Sequence, residues 1–225
     1  MRLVGLTGGI ATGKSTVSTL LESCQISIVD CDKIAKSVVQ KGRWGYRRVV
    51  QTFGTSILQA DGEVDRDALG ALAFNNREAR RALNHATHPA VLLEIIRQLL
   101  LHWLACKWLV VVDMPLLFET GAYRLLWPRV LVTCSSKVQL ERLMRRDKCF
   151  QQLAEAKVAA QMPLERKAAL ADQIVENSGD RAALESQVRA LASRLKRSAC
   201  LQGPLTSPIA AAALALLLLA VCVMR

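Results

Sequence analysis

The chain has 225 residues, of which 52% are hydrophobic, and it carries a formal net charge of +11. This length predicts one domain with room for an inserted subdomain, and the charge favours anionic partners. Aromatic residues make up only 4% of the chain and are not interleaved with the basic clusters, so we expect no nucleic-acid partner. The seven cysteines include no C-x-x-C pair, which argues against a disulfide framework or a zinc site and favours a reducing compartment.

Taken in chain order, short apolar runs alternate with stretches of helical periodicity. We predict strands at residues 3–6, 25–29, 108–113, 130–133 and 173–175. Because strands alternate with helices, the predicted fold class is α/β, with a doubly wound parallel sheet of five strands. The stretch between the second and third strands has no strand signal, and its longest predicted helix spans residues 89–104. We therefore predict that residues 33–106 form an inserted helical subdomain that binds a substrate.

The first predicted strand runs into a phosphate-loop motif. Residues 8–15 read G-G-I-A-T-G-K-S and fit the pattern G-x-x-x-x-G-K-[ST]. Such a loop points backbone N–H groups at phosphate oxygens, with Lys14 reaching the β- and γ-phosphates and the Ser15 hydroxyl on Mg²⁺. The alternative is a glycine-rich turn that binds nothing. Asp113 ends the third strand, where it either lies near the same Mg²⁺ or only caps the strand.

Two carboxylates, Asp30 and Asp32, follow the second predicted strand. Ligands of open α/β sheets bind at the carboxyl ends of the strands. A kinase that acts on an alcohol needs an acceptor for the hydroxyl proton, and Asp32 fits that role with Asp30 in support. The alternative for either residue is capping of the helix that starts at Lys33.

These motifs and four later ones together resemble the dephospho-coenzyme A kinases. The matching residues are G-L-T-G-G-I at 5–10 with G-K-S-T at 13–16, D-C-D at 30–32, His88-Pro89, D-M-P-L-L-F-E at 113–119, Q-L-E-R-L at 139–143 with Arg146-Asp147, and Q-M-P at 161–163 with Lys167, Asp172, Asn177 and Gly179. The resemblance covers residues 1 to about 197. It implies the last step of coenzyme A synthesis, in which the γ-phosphoryl group of ATP passes to the ribose 3′-hydroxyl of dephospho-coenzyme A.

The resemblance also implies roles for individual residues. Asp32 would activate the hydroxyl, Lys14 would act on the phosphates, and Arg142 and Arg146 would belong to a lid at about residues 146–160. The implied ATP-binding residues are Gly8, Ala11, Thr12, Gly13, Lys14, Ser15, Thr16, Asn177 and Gly179. The implied acceptor-site residues are Asp30, His88, Leu116, Leu117 and Phe118, and the implied Mg²⁺ ligands are Ser15 and Asp113.

The chain departs from the family pattern at a few positions. Ala11 and Thr12 replace a more usual Gly-Ser pair, a change that the loop should tolerate. Lys36 and Lys157 stand where the family often has arginine, and lysine keeps the charge but loses the bidentate geometry of a guanidinium. These two contacts are therefore in question, whereas the reaction is not.

The composition changes after the predicted kinase domain, which we place at residues 1–198. We predict a linker at 199–208 and a transmembrane anchor at 209–224, sixteen residues without a charge. As a helix this run would span roughly 24 Å against a hydrocarbon core of about 30 Å, and residues 205–208 would extend it to about the needed length. We expect a cytosol-facing protein tail-anchored in an intracellular membrane, with Lys196 and Arg197 on the cytosolic side. The alternative is a helix docked on the kinase domain.

Three other functions remain open on the sequence alone. One is a kinase of similar build that acts on a nucleotide or nucleoside, and another is a non-catalytic, membrane-tethered ATP-binding module. A nucleic-acid-binding protein is suggested by charge alone. The expected partners are ATP, dephospho-coenzyme A and a membrane, and no obligatory protein partner is evident.

Overall fold

A computed structural model describes residues 1–201, apart from the side chains at positions 66, 67, 73–75 and 201. These residues form two compact units, one made of residues 1–30 and 101–201 and the other of residues 31–100. The predicted anchor at 209–224 and most of the predicted linker lie outside the described residues.

The first unit contains a five-stranded sheet. Its strands are β1 (Arg2–Gly8), β2 (Ser27–Asp30), β3 (Leu109–Asp113), β4 (Arg129–Thr133) and β5 (Gln173–Glu176). They lie in the order β2-β3-β1-β4-β5, and all neighbouring strands are parallel. All five positions of β3 are buried, as expected for a parallel strand covered on both faces. The predicted α/β class and five-stranded parallel sheet are therefore confirmed.

Nine α-helices occur within residues 1–201. They are α1 (Lys14–Ser23), α2 (Cys31–Ser37), α3 (Trp44–Phe53), α4 (Arg66–Asn75), α5 (Arg77–Leu104), α6 (Ser136–Asp147), α7 (Gln151–Ala159), α8 (Leu164–Leu170) and α9 (Arg181–Leu201). Helix α9 continues to Leu201, so the first three residues of the predicted linker are helical.

One part of the core of the first unit lies between the sheet and two helices. Val17 and Leu21 of α1 and Val188, Leu191 and Leu195 of α9 are all at most 1% exposed and belong to one apolar cluster with residues of β1, β3 and β4. Their recurrence at three- and four-residue spacing places them on one face of each helix. This packing fixes the start of α1, and with it the loop that precedes α1.

The second unit consists mainly of helices, and its long helix begins earlier than predicted. Helix α5 starts at Arg77 and contains Pro89 in its interior, whereas the predicted helix begins at that proline. Proline has no N–H, so the carbonyl of His85, four residues earlier, loses its helical donor. A guanidinium nitrogen of Arg48 in α3 donates to that carbonyl at 3.1 Å instead. This tertiary hydrogen bond replaces the missing one, and the helix continues through the proline.

The prediction of a cytosol-facing protein that is tail-anchored in an intracellular membrane is wrong. Among residues 1–201, no helix combines the length and the apolar character that crossing a membrane requires. The apolar run at 209–224 is itself outside the described residues. Its shortness as a helix, about 24 Å against a core of about 30 Å, is the physical weakness of the prediction.

Candidate active site

The phosphate-loop motif lies between the end of β1 and the start of α1. Gly13 precedes α1 with a φ of 87°, in the left-handed region that favours glycine. The buried side chain of Thr12 donates from its hydroxyl to the carbonyl of Gly9 at 2.9 Å. The loop thus turns back on itself, and the N-terminal end of α1 follows directly. A helix N-terminus behind such a loop favours a bound anion.

Lys14, the lysine of the motif, lies against a buried carboxylate. Its Nζ forms an ion pair and a hydrogen bond with Oδ1 of Asp113. The other carboxylate oxygen of Asp113 accepts a hydrogen bond from the Ser18 hydroxyl at 2.9 Å. Since Ser18 is four residues after Lys14, both side chains leave α1 on the same face. The lysine of the loop is therefore held in place by the carboxyl end of β3.

A second carboxylate lies beside Asp113. Asp30 ends β2 and pairs in register with Asp113, which ends β3. Burial raises the pKa of the Asp113 carboxyl; the negative charge of Asp30 acts in the same direction, and the contacts with Lys14 and Ser18 oppose both effects. Side by side, the two carboxylates make this edge of the sheet a place where positive charge is stabilised.

Asn177, which follows β5, holds the loop from another side. Its Nδ2 donates to the carbonyl of Thr12 at 2.8 Å, and its backbone N–H donates to the carbonyl of Thr133 at 2.8 Å. A Cβ added at Gly13 would lie only 2.1 Å from that Nδ2. The loop glycine is thus required by a neighbour as well as by its backbone conformation. Gly179, two residues beyond, is exposed with open space around its Cα.

The two arginines predicted for a lid are placed differently. Arg142 of α6 has a buried Nη1 with no hydrogen-bond partner within the described residues, and this nitrogen lies 3.8 Å from the Cβ position of Gly13. Arg146 instead pairs with Asp147 at 2.8 Å on the surface. Lys157 of α7 contacts the other oxygen of Asp147 at 2.5 Å. The structure therefore brings Arg142 to the phosphate loop and leaves Arg146 in a surface ion pair.

The residues predicted to border the acceptor are divided between the two units. In the first unit, Leu116 is 45% exposed, whereas Leu117 and Phe118 are at most 4% exposed and pack in the core. In the second unit, Asp32 is exposed in the first turn of α2, and His88 is exposed on α5. These roles stay predictions.

Ser15 and Asp113, the predicted metal ligands, are both oxygen donors, which suits Mg²⁺. Ser15 is exposed in the first turn of α1, and the carboxylate of Asp113 lies beside Lys14 of the same turn. In the part of the chain that the structure describes, no group of three or more His, Cys, Asp or Glu side chains could hold a metal. Mg²⁺ in phosphoryl-transfer sites commonly uses one or two protein ligands together with phosphate oxygens and water, so the donor set fits.

Sequence reasoning assigned no role to several polar residues around the loop. Ser18 could have been found from its four-residue spacing after Lys14. Gln139 and Gln161 belong to the matched motifs, and their side chains bond the backbone of Ile10. Lys167 is fully buried, with Nζ 2.7 Å from Oε1 of Glu119. The last three contacts join distant parts of the chain and leave no local sequence signal.

The site has the arrangement of a P-loop kinase, which uses ATP as its phosphoryl donor. A strand leads into a phosphate loop and a helix, and the lysine of the loop contacts a buried carboxylate at the carboxyl edge of a parallel sheet. Comparison with known proteins identifies the family. The profile of the CoaE family, described as dephospho-CoA kinase, matches residues 2–183. The chain belongs to this family, which confirms the predicted family and the predicted ATP-dependent phosphorylation of dephospho-coenzyme A.

Individual relatives agree with this assignment. The chain is 43% identical to a dephospho-CoA kinase domain-containing protein of Danio rerio, over 95% of this chain and 93% of the relative. It is 42% identical to the dephospho-CoA kinase of Bacillus anthracis, over 84% of this chain and 94% of the relative. Among solved structures, the dephospho-CoA kinase from Campylobacter jejuni is 28% identical with a TM-score of 0.67, covering 88% of this chain and 99% of that one.

Proposed function

We propose that the phosphate loop and the carboxyl edge of the sheet form the catalytic centre for transfer of the γ-phosphoryl group of ATP to the 3′-hydroxyl of dephospho-coenzyme A. The observation that carries the proposal is the placement of Lys14, whose ammonium group is fixed by Asp113 beside the loop. Phosphoryl transfer depends mainly on positioning and on positive charge near the transferring group. An ammonium group has three donors, so Lys14 can bind phosphate oxygens while it contacts Asp113.

ATP binds along the loop and the start of α1 in this proposal. The phosphate-binding residues are Gly8, Ala11, Thr12, Gly13, Lys14, Ser15 and Thr16, and the base lies near Asn177 and Gly179. The bond from Asn177 to the loop supports this arrangement, because it joins the predicted base region to the phosphate region. Ser15 and Asp113 would hold Mg²⁺, which would neutralise charge on the phosphates when bound.

Arg142, which precedes the lid segment at about residues 146–160, and Arg146, which begins it, supply further positive charge. The support is strongest for Arg142, because its buried Nη1 near Gly13 has unused hydrogen-bonding capacity within the described residues. A phosphate oxygen would satisfy that donor. Arg146 must break its ion pair with Asp147 to act on a phosphate. Because the arginine of this pair is exposed, breaking the pair costs little free energy.

The acceptor binds with its hydroxyl near Asp32, which accepts the proton as the oxygen attacks phosphorus. Asp30 supports this site, and His88, Leu116, Leu117 and Phe118 border it. The helical unit at residues 31–100 serves as the substrate subdomain.

The test is an assay of the purified full chain with ATP, Mg²⁺ and dephospho-coenzyme A, which should yield ADP and coenzyme A. Lys14→Ala and Asp32→Ala should each lower kcat at least about a hundredfold, because each removes a group that acts on the reacting atoms. Glu22→Gln changes an exposed carboxylate on α1 and serves as the control. Near-normal turnover by Asp32→Ala would refute its role. Faster turnover of a nucleoside or nucleotide in an acceptor panel would refute the substrate.

A further inference from the structure

Both main-chain groups of Ile10, in the phosphate loop, are hydrogen-bonded to glutamine side chains. The Ile10 N–H donates to Oε1 of Gln161 at 2.9 Å. The Ile10 carbonyl accepts from Nε2 of Gln139 at 2.8 Å. Gln139 lies in α6 and Gln161 follows α7, so the two glutamines flank the segment that contains the predicted lid. Both ends of that segment are therefore attached to one residue of the loop.

These bonds fix the peptide planes on either side of Ile10. In a trans peptide the C=O and N–H groups point in opposite directions. Since Gln139 holds the Ile10 carbonyl, the N–H of Ala11 in the same plane is directed away from Gln139. In the preceding plane, Gln161 holds the Ile10 N–H, and the Gly9 carbonyl faces the other way. The orientation of the loop's amide groups thus depends on two side chains outside the loop.

The surroundings hold each glutamine in place. Gln139 is only 4% exposed, and a Cβ added at Gly9 would lie 2.9 Å from its Nε2. The residue after Gln161, Met162, donates its N–H to Oε1 of Glu119 in a long bond of 3.4 Å. That oxygen also lies 2.7 Å from Nζ of the fully buried Lys167. A side chain that is buried, like that of Gln139, or that is carried by an anchored backbone, like that of Gln161, is suited to positioning a neighbouring group.

We propose that Gln139 and Gln161 are positioning residues that orient the phosphate loop for the nucleotide and join it to both ends of the lid segment. The proposal rests on the proposed function, in which the loop binds the phosphates of ATP. The proposed function assigns neither glutamine a contact with the reacting atoms. Their effect passes through the Ile10 peptide groups, so it falls on ATP binding before it falls on the acceptor.

Replacing each glutamine with the isosteric glutamate separates the effect of its hydrogen bond from the effect of an added charge. Gln161→Glu keeps an oxygen that can accept from the Ile10 N–H, whereas Gln139→Glu replaces the donor to the Ile10 carbonyl with an acceptor. Each adds one negative charge near the loop. We expect Gln139→Glu to raise KM for ATP about tenfold or more and Gln161→Glu to raise it less than about threefold. KM for dephospho-coenzyme A should stay within about twofold in both.

Amide exchange of the full chain, measured by NMR without nucleotide, tests the bonds directly. The Ile10 amide should exchange faster in Gln161→Met and stay protected in Gln161→Glu. Equal effects of the two glutamate variants on KM for ATP, or unchanged Ile10 exchange in Gln161→Met, would overturn the proposal. If the wild-type chain binds ATP without turning over dephospho-coenzyme A, the proposed function fails, and calorimetric ATP affinities of the same variants decide the positioning role.

Discussion

A double-mutant cycle at Gly13 and Asn177 tests how the phosphate loop is held. Gly13→Ala must meet two costs. The left-handed backbone costs about 1–2 kcal/mol for a residue with a Cβ. The new Cβ would also lie 2.1 Å from Nδ2 of Asn177, so the amide must move and lose its 2.8 Å bond to the buried Thr12 carbonyl. An unsatisfied buried carbonyl costs about 1–3 kcal/mol, which gives a total of about 2–5 kcal/mol.

In an Asn177→Ala background the hydrogen bond to the Thr12 carbonyl is already absent, so Gly13→Ala cannot break it again. In that background Gly13→Ala should lower the free energy of unfolding by only about 1–2 kcal/mol. The loss in the double variant should therefore be smaller than the sum of the two single losses by about 1–3 kcal/mol. The measurement is urea unfolding without nucleotide, followed by both circular dichroism and tryptophan fluorescence. Gly179→Ala is the matched control, since its Cβ would meet nothing within 4 Å. Additivity within about 0.5 kcal/mol would refute the reasoning.

Ser18→Ala should lower the free energy of unfolding by about 1–3 kcal/mol in urea titrations, because the buried carboxylate of Asp113 loses a donor; an unchanged value would contradict this. Hydrogen bonds from Arg146 and Lys157 lower the pKa of Asp147 to about 2. The ionised Asp147 therefore stabilises the fold at pH values above the ordinary pKa of an aspartate, and this stabilisation is lost as the pH falls toward 2. Carboxyl NMR titration should show this pKa rising in Lys157→Ala. His88→Ala should raise KM for dephospho-coenzyme A about tenfold without changing KM for ATP, and an unchanged acceptor KM would remove its role.

Much of the fold and the centre of the site could be predicted because their signals are local. The motif at residues 8–15 has fixed spacing, and the apolar run that ends at Asp113 reads as a buried strand in any context. Both predictions depend on neighbouring residues only. The parallel sheet follows from the alternation of strands and helices, which is also visible along the chain.

The features that sequence reasoning missed are tertiary. The ion pair between Lys14 and Asp113 joins residues 99 positions apart, and the bond between Gln161 and Ile10 joins residues 151 apart. Residue type alone does not pair such groups. The prediction of a tail-anchored protein failed for the opposite reason. It depended on local hydropathy, on two basic residues upstream and on an apolar run whose length needed extension.

The proline inside α5 has a consequence for how such residues are interpreted. Proline is usually regarded as removing a donor from a helix, but that loss also exposes an acceptor one turn earlier. Here the guanidinium of Arg48 in α3 donates a hydrogen bond to the free carbonyl of His85 in α5, so the missing bond of one helix becomes a contact with another. A proline within an otherwise helical sequence can therefore indicate where a basic side chain from elsewhere in the chain will dock.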